Sequence, residues 1–422
     1  MLERFFIRPE TVDRVRSSWV GGAIEQYVTW LVERKYSSRT IHRRVPILTR
    51  FGQFAWDRGA RQWKELAHHV EEFVVGWVAT RSNSRHSPLA RDKIAKDARI
   101  PVEQMLRLVC ANFRGRGRPH PPLNPFVDLA PKFFAYLSEE RGLRASSLKL
   151  YGHHLRKFAA YLERIGLRDL RDLSPPVLSG FVIEMSQRTS WSSVRNGCGI
   201  LHVFLTYLYR ERVLRNDLSD CVEPPQTYRL AKIPRSVTWD EVRRLLNVVD
   251  RRTPTGRRDY AILMLLVTYG LRAHEVAALT VDDLDWRNER LRIPERKAGH
   301  SSAYPLSPLV GQAIVEYLQN GRPQTTDRHV FFRAVAPQEP ITGAAVSSRA
   351  AHYLHKIGSS VSRPGSHTLR HTCVQRLVDA EFDLKVIGDY VGHRSAASTA
   401  IYSKVAVEAL REVACGDGEE IA

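Results

Sequence analysis

The chain has 422 residues, 43% of them hydrophobic, which is enough for roughly two to four domains with well-buried cores. Lys and Arg (64) outnumber Asp and Glu (45), and the formal net charge of +19 favours a polyanionic partner, above all double-stranded DNA. The sequence has no apolar run of about 18 residues, no lipidation motif and no signal-peptide core, so we exclude a membrane partner and expect a cytoplasmic, nucleoid-associated protein. Five cysteines without CxxC spacing argue against a disulfide framework or a zinc ribbon.

The first half of the chain contains an internal repeat in which matched residues are separated by 107 positions. Apolar residues recur at helical spacing in both copies, and both copies place a glycine at the same point, Gly59 and Gly166. We therefore predict two related helical units, at residues 20–113 and 125–215. Chance similarity between two amphipathic helical hairpins is the alternative, and the matched glycines argue against it. The matched apolar residues are Ile41, Leu48, Phe51, Phe54, Leu66 and Val70, paired in order with Leu148, Leu155, Phe158, Tyr161, Leu173 and Val177.

Basic residues gather on the second predicted helix of each unit. A helix with this charge can lie in a groove of DNA or along its backbone, although a solvated helix face has the same composition. The N-caps predicted for these helices are Ser37-Ser38 and Ser146-Ser147. The DNA-binding residues that we predict are Lys149, His153, Arg156 and Lys157 in the later unit, and Arg43 and Arg44 in the earlier one.

Two segments have the composition of linkers. Residues 114–122 combine glycine and proline with three arginines, which is typical of an irregular basic linker that follows phosphates. Residues 224–234 begin with two prolines and end with another. Shortly afterwards Thr238 and Glu241 have the spacing of a capping box, which predicts the first helix of a third domain at residues 232–410.

The third predicted domain contains residue types that suit attack on a phosphodiester. Arginine forks neutralise phosphoryl oxygens as negative charge builds on them. A tyrosine hydroxyl can act as a covalent nucleophile, while lysine and histidine can move protons. These residues are Arg272 and Glu275 in Tyr-Gly-Leu-Arg-Ala-His-Glu, Lys297 in a basic hairpin, His367, Arg370 and His371 in His-Thr-Leu-Arg-His, His393 after a glycine, and Tyr402 nine residues beyond that histidine.

The pair His367 and His371 also has the four-residue spacing of a zinc site. No glutamate follows His367, however, and the nearby Cys373 has no obvious fourth ligand. We therefore predict that the site holds no metal.

Other residues of the set are compatible with two roles each. Glu275 has the spacing either of a partner that orients Arg272 or of an ordinary helix ion pair. His371 either donates to phosphate or supports Arg370. Lys297 either takes part in catalysis or belongs to a solvated turn that faces DNA.

These motifs and their order resemble the tyrosine recombinase family, which includes phage integrases and Xer recombinases, over roughly residues 235 to 410. The resemblance implies a mainly α-helical fold with a small antiparallel β-hairpin or sheet in the catalytic domain, at residues 232–410. Helical core-binding bundles would precede this domain. Residues 125–215 resemble the family's SAM-like core-binding domain, which binds DNA, and residues 20–113 would be a divergent copy of it.

The resemblance also implies the chemistry. The tyrosine would attack the scissile phosphate and form a 3′-phosphotyrosyl bond, while the two arginines hold the non-bridging oxygens. The lysine would protonate the leaving 5′-oxygen, the first histidine would assist proton transfer at the tyrosine, and the last would bond the phosphate. The implied catalytic residues are Arg272, Lys297, His367, Arg370, His393 and the nucleophile Tyr402, with Glu275 and His371 in support.

Family members need no metal, ATP or other cofactor, because the covalent intermediate retains the phosphodiester energy. They act as tetramers of like or unlike subunits on two DNA sites, and we expect the same of this chain, as an integrase of a mobile genetic element. A type IB topoisomerase and a catalytically silent DNA-binding relic are the alternatives. The Xer-like spacing argues against the former and the complete set of catalytic residues against the latter.

Overall fold

The computed structural model shows a chain built mainly from α-helices. Its described residues are 1–83, 86–115, 122–226, 235–294 and 302–392.

The chain divides into two compact units. One combines Met1–Phe113, here called the N-terminal segment, with Lys232–Ala422, the C-terminal segment. The other is Arg114–Ala231, the middle unit. Each of the three parts has a hydrophobic core of its own. The domain boundaries proposed from the sequence, 20–113, 125–215 and 232–410, stay a prediction.

The N-terminal segment is a helical bundle around the fully buried side chains of Tyr27 and Phe51. The predicted cap at Ser37 is confirmed, because its hydroxyl accepts a hydrogen bond from the backbone N–H of Thr40. A 3₁₀-helix, Trp63–His69, precedes the fourth α-helix. The α-helices are α1 (Pro9–Arg16), α2 (Gly21–Glu33), α3 (Ser38–Asp57), α4 (Val70–Arg81) and α5 (Pro88–Val109).

The middle unit repeats this arrangement. Its helices are α6 (Phe133–Glu139), α7 (Ala145–Arg164), α8 (Pro175–Arg188) and α9 (Trp191–Arg210). Both ends of α7 lie 107 positions after those of α3. Left-handed residues also recur at this separation, since Lys35 and Gly142 have φ of 57° and 60°, and Gly59 and Gly166 have φ of 90° and 77°. The two parts therefore share turns as well as apolar positions.

The predicted cap of α7 at Ser146-Ser147 is wrong. The helix begins at Ala145, so both serines lie inside its first turn. Arg144, which occupies the position equivalent to Ser37, is the extended residue before the helix and forms no side-chain cap. A serine just inside a helix start satisfies the pattern of a cap without occupying the geometry that a cap requires.

The C-terminal segment places a small antiparallel sheet among helices, and the predicted fold class is confirmed. Strand order is β1-β2-β3, and Leu291 of the central strand pairs with Leu284 and Tyr304 of its neighbours. Thr238 and Glu241 form the predicted capping box. The elements are α10 (Trp239–Asn247), α11 (Pro254–Tyr269), α12 (Ala273–Ala278), β1 (Leu284–Asp285), β2 (Arg290–Ile293), β3 (Ser302–Pro305), α13 (Pro308–Asn320), α14 (Gly343–Lys356), α15 (Ser366–Asp379) and α16 (Leu384–Val391).

A buried charge network joins α11 to α14. Asp259 is fully buried and accepts hydrogen bonds from Arg258 (2.7 and 3.0 Å), Arg349 (2.8 Å) and the hydroxyl of Tyr353 (3.2 Å). A buried carboxylate with this many donors is fully compensated, whereas loss of one partner would leave an uncompensated charge in the core. The network fixes α11, whose end carries the first of the predicted catalytic motifs.

No helix in the described part of the chain combines the length and the apolar character needed to span a membrane.

Candidate active site

Arg272 is held at the start of α12 by a buried carboxylate. Gly270 ends α11 in the left-handed conformation with φ of 60°, and Arg272 follows as the N-cap of α12. Its backbone N–H donates to Glu275 Oε2 at 2.8 Å, and its Nη1 donates to Oε1 at 2.9 Å. The Glu275 side chain has no exposed surface. One buried carboxylate thus accepts a bond from the backbone of Arg272 and another from its guanidinium, so Glu275 has the geometry of an orienting partner rather than of a surface ion pair.

Arg370 approaches the same point from α15. Its side chain is buried, its Nη2 donates to the carbonyl of Val391 at 2.7 Å, and its Nη1 donates to the carbonyl of Gly270. Arg272 Nη2 donates to the carbonyl of Gly392 at 2.8 Å. These carbonyls end α11 and α16, where unpaired C=O groups carry the partial negative charge of a helix C terminus. Two helix ends thus position both guanidinium groups directly before position 393.

His367 and His371 stack on one face of α15, with ring centroids 6.0 Å apart and an interplanar angle of 29°. Desolvation, followed by the charges of Arg370 and Arg272, lowers the pKa of His367. Burial, followed by His367, Arg370 and Arg235, lowers the pKa of His371 to about 4. At neutral pH both rings are therefore uncharged, and His367 can accept a proton.

A tyrosine cluster ties the β-hairpin to α16. The hydroxyl of Tyr304 on β3 donates to the carbonyl of Tyr390, and the two rings meet edge to face at 5.1 Å. The hydroxyl of Tyr390 donates to the carbonyl of Thr268 at 3.1 Å, and the thiol of Cys373 contacts that carbonyl at 3.4 Å. Tyr390 accordingly has a packing role. Burial raises the pKa of Cys373 to about 12, so its thiol is a packed group rather than a reactive thiolate.

Three predicted catalytic residues lie outside the described part of the chain. Lys297 falls between β2 and β3, while His393 follows directly on Gly392. The structure therefore brings together Arg272, Glu275, His367, Arg370 and His371, and leaves Lys297, His393 and Tyr402 as predictions. Within the described ranges no three His, Cys, Asp or Glu side chains form a group that could hold a metal ion.

The four predicted DNA-binding residues of the middle unit all lie on α7. Lys149 and His153 are exposed, and Arg156 and Lys157 are half-buried. Arg156 Nη1 donates to the carbonyl of Pro122 at 3.1 Å. The pKa of His153 is lowered by desolvation and by the charges of Lys157 and Arg156, which shows that these groups lie close together. They form one basic face of α7.

The two predicted DNA-binding residues of the N-terminal segment have partners within that segment. Arg44 Nη1 donates to the hydroxyl of Tyr27 at 2.8 Å and to Gln104 Oε1 at 2.9 Å. Arg43 pairs with Asp97 at 3.3 Å. These contacts do not support a role in DNA binding, and the assignment of both arginines stays a prediction.

Sequence reasoning missed the backbone carbonyls of Gly270, Val391 and Gly392. Their role depends on approach between residues that are up to 120 positions apart, such as Arg272 and Gly392. A signal was present nonetheless, because a glycine directly after a helix marks a C-cap, and a C-cap leaves carbonyls for a cation to bind.

Comparison with known proteins decides the family. The sequence matches the Phage integrase family over residues 235–409 and the phage integrase N-terminal SAM-like domain over residues 131–212. A putative integrase/recombinase, y4rA, from Sinorhizobium fredii is 33% identical over 397 residues, which cover 92% of each chain. The protein belongs to the phage integrase family. The predicted family is thus confirmed, and with it the prediction of an enzyme that is a site-specific recombinase of the tyrosine type.

Two further comparisons are consistent with this family and its fold. The tyrosine recombinase XerD of Corynebacterium glutamicum is 29% identical over 68% of this chain and 96% of its own. The XerH site-specific recombinase, in a post-cleavage complex with a palindromic difH substrate, has a similar fold with a TM-score of 0.54. That likeness covers 83% of this chain and 96% of XerH at 17% identity, and at this identity it concerns the fold alone.

Proposed function

We propose that this recombinase cuts and rejoins double-stranded DNA through a covalent 3′-phosphotyrosyl intermediate. The observation that supports the proposal most is the meeting of Arg272 and Arg370 at the carbonyls that precede His393. Two guanidinium groups fixed within one small region can neutralise a phosphate on two sides as a pentacoordinate transition state forms. With an arginine pair in this position, no bound metal is required to balance the charge.

The reaction balances in two transfers. The oxygen of Tyr402 forms a bond to the scissile phosphorus, and the bond from phosphorus to the 5′-oxygen breaks. The tyrosine proton passes to the uncharged His367, and Lys297 supplies a proton to the leaving 5′-oxygen. His393 donates to a non-bridging oxygen. Attack by a 5′-hydroxyl of a partner strand reverses these events, so no ATP is consumed.

The two arginines and the uncharged His367 would meet two needs of a tyrosine nucleophile, which are nearby cations and a proton acceptor. An ordinary tyrosine has a pKa near ~10, so a nucleophilic phenolate needs nearby cations and a proton acceptor. The lowered pKa of His367 leaves its ring free of a proton at neutral pH. His371, with a pKa of about 4, is also neutral and supports Arg370 without adding charge.

The net charge of +19 and the basic face of α7 support duplex DNA as the partner. Residues 125–215 would serve as the core-binding domain, 20–113 as its divergent copy and 232–410 as the catalytic domain. Subunits of the same or a related recombinase would assemble as a tetramer on two DNA sites. The similarity to putative integrases supports a role in moving a mobile genetic element.

The nucleophile can be tested with Tyr402→Phe, which removes one oxygen and keeps the ring. On a nicked suicide substrate from the DNA beside its own gene, where the freed strand diffuses away, the wild-type protein should accumulate a covalent complex that survives denaturant. Tyr402→Phe should bind this DNA equally well and form none.

Tyr390→Phe is the matched control, since its hydroxyl is already bound to the carbonyl of Thr268, and it should still form the complex. A stable adduct from Tyr402→Phe would contradict the assignment. Supercoil relaxation by the wild-type protein without recombinant products would instead indicate a topoisomerase, and binding without any adduct would indicate a silent relic.

A further inference from the structure

An open pocket lies between α1 and the second half of α3 in the N-terminal segment. Its volume is about 560 Å³. Two arginines, Arg14 and Arg50, line it together with Ser18 and Thr49. The indole rings of Trp19 and Trp56, which contact each other at 5.6 Å between ring centres, also belong to its lining. Arginine and serine side chains are among the groups that bind phosphate and sugar in DNA.

The positive charge at this pocket is not neutralised within the described residues. The ion pairs of this part of the segment involve other arginines, such as Arg16 with Glu3 and Glu25, and Arg58 with Glu72. No carboxylate in the described ranges pairs with either lining arginine. The Oγ atom of Ser18 is buried and likewise has no hydrogen-bond partner among the described residues. Buried polar atoms in proteins are rarely left unpaired, so this hydroxyl indicates a ligand or ordered water.

A third arginine extends the cationic surface beyond the pocket. Arg81, the last residue of α4, lies over the ring of Trp77 at 3.4 Å, and Arg50 lies 5.8 Å from the same ring. The pKa of Arg81 is lowered by burial and then by the charge of Arg50. Two like charges on one indole ring repel each other unless an anion is shared between them, so the pair favours binding of a phosphate.

The internal repeat relates this pocket to the basic face of α7. Because α3 and α7 have ends 107 positions apart, each residue of α3 has a counterpart on α7 at the same point of the helix. The counterparts of Thr49 and Arg50 are Arg156 and Lys157. Thr49 and Arg50 of the pocket therefore occupy the positions of α3 that correspond to proposed DNA-binding residues on α7 of the middle unit. Arg43 and Arg44, in contrast, correspond to Leu150 and Tyr151, which carry no charge.

We propose that this pocket is a second DNA-binding site, at which Arg14 and Arg50 bind phosphates of a duplex backbone outside the DNA held by the core-binding and catalytic domains. The site supplies affinity and a longer footprint but no base specificity, because phosphate contacts are the same for every sequence. The proposal rests on the proposed function in one respect, because the proposed function identifies the ligand as DNA. The chemistry at Tyr402 does not depend on it.

The proposed site is tested by replacing arginines that lie over tryptophan rings in the N-terminal segment. Arg50→Gln removes one of the two positive charges at the pocket. Arg34→Gln is the matched control, because Arg34 lies 4.5 Å from the ring of Trp30 and at the other end of the α2–α3 hairpin. Affinity for a long mixed-sequence duplex is measured as a function of salt. Each lost phosphate contact should make the slope of log K against log salt shallower by about 0.9. We expect this change for Arg50→Gln, about twice the change for the Arg14→Gln/Arg50→Gln double variant, and none for Arg34→Gln.

Two further measurements separate the possible failures. Arg50→Lys keeps the charge and should keep the wild-type slope, and thermal melting of all variants should coincide, since these side chains are exposed. On the nicked core substrate at saturating protein every variant should form as much covalent complex as wild type. An unchanged slope for the double variant, or a loss confined to single-stranded DNA, would overturn the site while leaving the proposed function intact. Absence of covalent complex from wild type, with the slopes as expected, would overturn only the proposed function.

Discussion

The two site arginines have different surroundings, although both would bind phosphate. Arg272 is paired with the carboxylate of Glu275, whereas Nη1 and Nη2 of Arg370 donate to carbonyl groups at helix C termini. A carboxylate fixes one guanidinium but also offsets its charge. Carbonyl dipoles fix the other without cancelling a full unit of charge. We therefore expect Arg370 to stabilise a transition state with additional negative charge.

Replacing Arg370 should accordingly slow cleavage strongly and leave duplex binding nearly intact. A positioned donor at such a site contributes about 3 to 4 kcal/mol to the transition state, which corresponds to a roughly hundred- to thousand-fold loss of cleavage rate in Arg370→Ala. Single-turnover cleavage and duplex affinity are measured together with the melting temperature, because the truncation leaves two carbonyls without a donor. Arg370→Lys is the second variant, since it restores one donor and the charge while it lacks the planar fork.

Arg376→Ala, on the same helix but over the ring of Trp239, is the matched control and should cleave normally. If Arg370→Ala and Arg370→Lys both lost binding and cleavage in equal proportion, Arg370 would be a docking residue and the assigned role would be wrong.

At the scale of elements, α16 connects the β-hairpin to both arginines. The Tyr304 hydroxyl of β3 bonds to the last turn of α16, and the carbonyls that follow hold Arg272 and Arg370. We expect Tyr304→Phe to let this turn shift and to reduce cleavage roughly ten- to hundred-fold, because small displacements of catalytic groups have large effects on rate. Its free energy of unfolding should fall by only about 1 kcal/mol, the contribution of a single hydrogen bond.

Tyr317→Phe provides the comparison, since this buried tyrosine of α13 accepts a bond from the backbone N–H of Phe332 at 3.2 Å, within the same segment but in another hydrogen-bond network. Both variants should lose similar stability, measured by denaturant unfolding, and only Tyr304→Phe should lose cleavage. Equal cleavage by the two would show that the hairpin does not position the site.

The helices and their caps show which features could be predicted from the sequence and which could not. Periodicity and spacing were sufficient for the capping box at Thr238 and the duplicated helices, because these depend on residues close in the chain. The prediction of a cap at Ser146-Ser147 was wrong, since the sequence pattern does not distinguish a serine before a helix from one inside it. Helical spacing also places Arg43 and Arg44 on α3 without revealing that Asp97, Tyr27 and Gln104 engage them. Contacts made across long separations in sequence leave no local signal.

Across the whole molecule, the charge of +19 makes the protein sensitive to acid, and two histidines with lowered pKa values add to this sensitivity. His154 in the middle unit and His371 in the C-terminal segment each have a pKa lowered to about 4, in both cases mainly by burial. In the unfolded chain a histidine takes up its proton near pH ~6.5. Between these values the unfolded state binds more protons than the folded one, so stability rises with pH in this window and is lost as the pH falls from 6.5 towards 4.

The contribution of a histidine to this pH dependence of stability can be measured at His154, which is not part of the proposed active site. Its ring lies beside Gly197 of α9, and its Nδ1 atom has no hydrogen-bond partner among the described residues. In His154→Leu the melting temperature should therefore fall less between pH 6.5 and pH 4 than in wild type, because one group that must stay unprotonated has been removed. His355→Leu, which replaces an exposed histidine on α14, should follow the wild-type curve. If all three proteins lost stability equally over this range, carboxylate protonation and general charge repulsion would account for the acid sensitivity, and the buried histidine would contribute nothing to it.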